Sequence, residues 1–96
     1  MKILIDEKTS KGIQDILSKK DKPYVIRIYM TCFAWDGPGL EMALYEPLET
    51  DNIIEVNNIK FFLDKDVTSF KSDIEVFTQN ERFGGGYAVK YTGTLI

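Results

Sequence analysis

Cys32 is the only thiol in the 96-residue chain, and histidine is absent altogether. Thiolate is a soft metal ligand, so Cys32 is the candidate metal ligand. A soft metal site is usually four-coordinate, and one thiolate per chain supplies only two in a dimer. Asp36 or Glu41 could add oxygen, but a hard donor suits a soft site poorly. The opposing reading makes Cys32 a small buried apolar residue, as free cysteines commonly are. Without imidazole there is no Ser-His-Asp or Cys-His catalysis, no HExxH zinc site and no general base near neutral pH. No nucleophile–base pair stands out, and the chain reads as a non-enzyme.

Three further stretches carry residue types that do chemistry elsewhere. Trp35, Asp36, Gly37 and Pro38, followed by Gly39, form a Gly- and Pro-dense segment with an aromatic at its head. Loops carry function disproportionately, and Trp35 could anchor a protein partner. Equally, Trp35 could close one end of a small core while the glycines shape a tight turn. Gly84-Gly85-Gly86 resembles a phosphate cradle only superficially, because the G-x-x-x-x-G-K spacing and the helix after it are missing. Close backbone approach or flexibility is the expected use there. Glu46, Glu49, Asp51 and Glu55 lack the spacing of a calcium loop and read as a solvated acidic stretch.

The elements that must position these residues follow from pattern. Lys2–Ile5 reads as a strand leading to Asp6, a good N-cap, with Glu7 in the first turn. Ile13, Ile16 and Leu17 then recur at helical spacing, and Pro23 stops continuation, so a helix is predicted over about residues 7–19. Gly12 inside it costs on the order of 1 kcal/mol relative to Ala, or else lets the helix pack closely on a sheet. Lys19, Lys20 and Lys22 suit the helix's negative end.

Tyr24–Phe33 is rich in β-branched and aromatic residues. Ile26, Ile28 and Met30 share its core face, and Val25, Arg27 and Tyr29 the other. Leu40, Met42 and Leu44 alternate with Glu41, Ala43 and Tyr45 in a half-buried strand. Asn57-Asn58 tolerates positive φ and predicts a tight hairpin between strands at 52–56 and 59–63. A helical turn over 64–70, a strand at 73–78 and a last strand near 87–91 complete the order. One helix and about seven strands make a single α+β or mainly-β domain spanning residues 1–96.

The bulk numbers bound the function. A net charge of −3 and a 28% share of charged residues fit an ordinary globular protein and oppose nucleic-acid binding, which rests on Lys and Arg displacing counterions. No apolar run approaches the ~20 residues that cross a bilayer, and Asp6 ends the first short one. A lone thiol suits the reducing cytoplasm.

Several stretches, in order, resemble the HesB-like, A-type iron–sulfur cluster carrier family. They are the capped helix, Gly39-Leu40-Glu41-Met42-Ala43-Leu44, the hairpin Glu55-Val56-Asn57-Asn58-Ile59-Lys60-Phe61-Phe62-Leu63-Asp64, and Gly84-Gly85-Gly86-Tyr87. The resemblance implies a compact β-sandwich with one N-terminal helix and a role in iron–sulfur cluster biosynthesis or metal handling. It also implies iron or a cluster as cofactor, held by three cysteines and shared between subunits. This sequence departs at each cysteine. The first falls on Gly37, and the C-terminal pair has no counterpart in Thr92-Gly93-Thr94-Leu95-Ile96. A second branch of the family, with a reactive Cys or selenocysteine before Gly-Gly-Pro, matches Trp35-Asp36-Gly37-Pro38 more closely, and there the reactive position falls on Trp35. The expectation is a divergent HesB-like protein without the usual ligands. The alternative is a non-catalytic interaction module, binding a protein partner or a second copy of itself.

Overall fold

Asp6 begins the longer helix as its sequence requires. Its carboxylate accepts the Thr9 backbone N–H at 2.7 Å, and the hydrogen bonds from Thr9 hold the carboxyl below its ordinary pKa. In the computed structural model, residues 2–34, 37–46, 53–70, 72–79 and 86–92 are described, with the backbone alone at 32–34, 37 and 38. The elements are β1 (Ile3–Ile5), α1 (Glu7–Ser18), β2 (Val25–Ala34), β3 (Gly37–Tyr45), β4 (Ile53–Val56), β5 (Ile59–Leu63), α2 (Lys65–Thr68), β6 (Ile74–Thr78) and β7 (Tyr87–Tyr91). None of the described helices is long and apolar enough to cross a membrane.

The strands form two mixed sheets, ordered β1-β6-β7 and β3-β2-β5-β4. In the first, β1 runs parallel to β6 and β7 antiparallel to it. In the second, β2 is antiparallel to β3 and parallel to β5, and β4 and β5 form a hairpin. Asn57 and Asn58 take φ of 50° and 63° at its turn, the paired positive φ that a two-residue hairpin demands. Ile3, Ile74, Val76 and Val89 from the first sheet join Ile26, Ile28, Ile59, Phe61 and Leu63 from the second in one buried cluster, completed by Ile13 and Val67. Both sheets therefore spend one face on the same core, which makes this an α+β, mostly-strand architecture.

Helix α1 is fixed by polar contacts as well as by its apolar stripe. Thr9 and Ser10 are buried. Their hydroxyls meet Thr78 Oγ1 and Asn57 Nδ2, both at 2.8 Å, so no hydroxyl is stranded away from water. Gln14 also donates to the Asn57 carbonyl. A Cβ on Gly12 would collide with the Tyr87 hydroxyl, so the glycine serves close packing. Ile16 departs from the predicted stripe. Thr9, Ser10 and Ile13 occupy the buried face, and Ile16 stays 40% exposed at its edge. Lys19 lies beyond the last turn and pairs with Asp15 at 3.1 Å.

Other differences from pattern have local causes. Gly37, Pro38 and Gly39 belong to β3 rather than to a loop, with Ala34 paired to Gly37 and Phe33 to Pro38. Pro38 is tolerated because β3 is the outermost strand of its sheet as described. Gly86 takes φ of +79° with open space where a Cβ would stand. Its use is thus a left-handed backbone leading into β7 rather than close approach, while Gly84 and Gly85 lie outside the described residues. The helical turn expected over 64–70 is α2, and Phe70 meets Tyr91 at 5.5 Å between ring centroids.

Candidate functional site

Of the residues singled out as site candidates, Cys32 belongs to β2, and Gly37 and Pro38 to β3. Between Met30↔Leu40 and Phe33↔Pro38 the register shifts by one residue, so β2 bulges at Thr31-Cys32 opposite Gly39. The Cys32 backbone therefore sits near the turn end of the hairpin. The side chains of Cys32 and Pro38 lie outside the described residues, as do Trp35 and Asp36 entirely. Gly37 opens β3 opposite Ala34. Of the acidic stretch, Glu46 pairs with Lys22 at 3.4 Å and Glu55 stands opposite Lys60 in the β4–β5 register. Glu49 and Asp51 lie outside the described residues.

Below that end, the outward face of β2 and its neighbours holds a polar–aromatic cluster. Residues 25, 27 and 29 alternate with the core residues Ile26 and Ile28, so Arg27 and Tyr29 point away from the core. Asp64 continues the outward row of β5, because Arg27 faces Phe62 in the parallel register. The Arg27 guanidinium grips the Asp64 carboxylate with two hydrogen bonds, Nε to Oδ1 at 2.9 Å and Nη2 to Oδ2 at 2.7 Å. Asp64 stands at the N-cap of α2 yet makes no capping bond with its side chain; the guanidinium claims it instead. The hydrogen bond to Asp64 raises the Arg27 pKa above its ordinary value.

Aromatic rings frame that cation. Arg27 lies 5.3 Å from the Tyr29 ring centroid and 5.5 Å from that of Tyr45, within cation–π range. Tyr29 donates its hydroxyl to Glu41 at 3.2 Å, which raises the phenol's pKa, and Glu41 is thereby engaged on this face. Tyr45 and Phe62 stack at 6.5 Å with rings 11° apart. Val25, opposite Tyr45, is only 1% exposed although it lies on the outward face. The sequence had grouped Val25, Arg27 and Tyr29 on one face. It missed the partners, since nothing in β2 signals that Asp64, Tyr45 and Phe62 converge there.

The donor set does not fit a cluster. Four thiolates are needed, while the chain has one cysteine and no histidine. Among the described residues no group of three or more Cys, Asp or Glu could hold a metal ion. What the face offers is a pre-set arginine bracketed by partly exposed aromatics.

No protein-family model and no curated protein matches the sequence. Among solved structures, the fold is similar to that of Escherichia coli SufA, a protein involved in biosynthesis of iron–sulfur clusters. The TM-score is 0.72 at 14% identity, over 94% of this chain and 80% of that one. At that identity the likeness shows the fold alone: a small α+β, HesB-like fold.

Proposed function

We propose that this chain acts alongside iron–sulfur cluster biogenesis through contact with a partner protein, without caging a cluster itself. The observation that carries the reading is the fold shared with SufA over 94% of the chain, set against a single thiol. We assign the outward face of β2 and β3, with Arg27, Tyr29 and Tyr45, as a partner contact, together with Trp35, Asp36, Gly37 and Pro38, which stand between or at the start of these strands in the sequence. Arg, Tyr and Trp are the residue types that dominate binding hot spots, and Arg27 is already ordered by Asp64, so less side-chain freedom is lost on docking. The chain is read as a non-enzyme of the cytoplasm, where its thiol stays reduced.

A second reading rests on Cys32. Two copies could bridge an iron through paired thiolates, a reduced form of the ligation that the family resemblance implies. Anaerobic expression with iron and sulfide separates the two. Contact without ligation requires colourless protein with no bound iron, identical in Cys32→Ser. Charge-transfer bands near about 400 nm that vanish in Cys32→Ser would establish ligation instead. A photo-cross-linker at Trp35 or Tyr45 in cells tests the partner. It should capture iron–sulfur assembly proteins, and their absence among the products removes the proposed link.

A further inference from the structure

Asp6 and Asp64 are the same residue in the same setting, yet they behave differently. Each stands at the N-cap of a helix with an extended backbone, φ −78° and ψ 167° at Asp6, φ −62° and ψ 156° at Asp64. Asp6 turns its carboxylate onto the Thr9 N–H. Asp64 turns its own onto Arg27, although its carbonyl accepts from Val67 at 3.0 Å and Thr68 at 3.2 Å as the first carbonyl of a helix does. A capping side chain in this conformation reaches the N–H two or three residues on, here that of Asp66 or Val67. Asp64 thus has a second seat one side-chain rotation away.

We infer that Asp64 is an internal plug, filling a seat on Arg27 that a carboxylate of the partner protein takes over on docking. The inference deepens, and rests on, the assignment of Arg27, Tyr29 and Tyr45 as a partner contact. The seat itself sets the occupant's chemistry, because Nε and Nη2 grip both oxygens of a planar carboxylate. Entry to it is open. The Arg27 side chain is 36% exposed, and its Nη1 donates to no described residue. The Tyr29 and Tyr45 rings hold the guanidinium by cation–π contact while its partner changes. Glu41, the other acid beside these rings, is engaged by the Tyr29 hydroxyl and is not among the groups that act on Arg27. The chain's net −3 is screened beyond about 8 Å at physiological salt. The exchange is close to neutral, since a partly exposed ion pair and a helix N-cap are of similar worth. What Asp64 loses at Arg27 it regains at α2, so docking is relayed to the first turn of that helix.

NMR of the backbone amides and the Arg27 Nε–H on the full chain, titrated with hexaglutamate to about 10 mM, tests the inference. In the wild type the Arg27 signal and the Asp66 and Val67 amides should move together, with one midpoint. Asp64→Asn removes the plug's charge but keeps a capping side chain, and should bind the peptide at least about tenfold tighter. Arg27→Gln should abolish the response, and hexalysine should not produce it. Circular dichroism checks folding, and Asp64→Ser, also a capping residue, serves if Asp64→Asn does not fold. An Arg27 signal that hexaglutamate leaves in place, an Asp64 variant that binds no tighter than wild type, α2 amides that stay still while Arg27 shifts, or an equal response to hexalysine would each overturn the plug. If cross-linking captures assembly proteins while the exchange fails, the partner contact stands and the plug falls; exchange without capture gives the reverse.

Discussion

Replacing Gly12 by alanine sets two well-calibrated effects against each other. Helix propensity alone favours the change by about 1 kcal/mol. Packing opposes it, because the new Cβ would collide with the Tyr87 hydroxyl and lie 3.0 Å from the ring carbon that bears it. The ring cannot withdraw freely, since Tyr87 packs against the core cluster, and overpacking of this kind costs about 1–3 kcal/mol. The expected net effect is a loss of about 1 kcal/mol, a fall in Tm of roughly 4–8 °C for a domain of this size. The sign should reverse in a Tyr87→Leu background. With the hydroxyl and its ring carbon gone, Gly12→Ala should recover the propensity gain of about 1 kcal/mol, giving a coupling of about 2 kcal/mol between the sites. Urea unfolding of the four proteins measures all of these terms. If Gly12→Ala stabilises the wild type by the full propensity increment, α1 does not lie against Tyr87.

Two other contacts give direct tests. Arg27 and Asp64 are 36% and 25% exposed, so their bidentate pair should show a coupling of only about 0.5–1 kcal/mol in an Arg27→Met, Asp64→Asn cycle; added salt should erode it, and a salt-independent coupling would argue against an ion pair. The Asp6 carboxyl has a lowered pKa in the fold, because Thr9 donates to its charged form. Its contribution is therefore present above the unfolded value of about 3.9 and lost as pH falls through the folded one. The difference in Tm between wild type and Asp6→Ala should be steady at neutral pH and narrow in acid, and a gap that widened there would contradict the cap.

The thiol count gives the site its functional meaning. A cluster carrier works through soft donors at fixed geometry, and no refolding of this chain creates sulfur it does not encode. The same fold can still present its hairpin to a partner, since fold and chemistry are separable. Arg27 illustrates this. Its charge is satisfied by Asp64, and Tyr29 and Tyr45 flank it while staying partly exposed.

Local rules in the sequence wrote the elements themselves. Asp6 and Pro23 bracket α1, alternation marks β2, β3 and β6, and Asn57-Asn58 fixes the β4–β5 turn, because capping, pleat and positive φ act between near neighbours. Composition alone likewise set the limit on metal chemistry. Tertiary structure decided what depends on distant partners. Gly12 is a packing contact only because β7 brings Tyr87 to it. Val25 is buried although alternation turns it to the outward face, and Asp64 forsakes its helix cap because Arg27 lies in the neighbouring strand. Ile16 obeys the helical period yet stays exposed, since no described element covers it. Periodicity specifies which way a side chain points, and only the assembled sheets determine what stands in front of it.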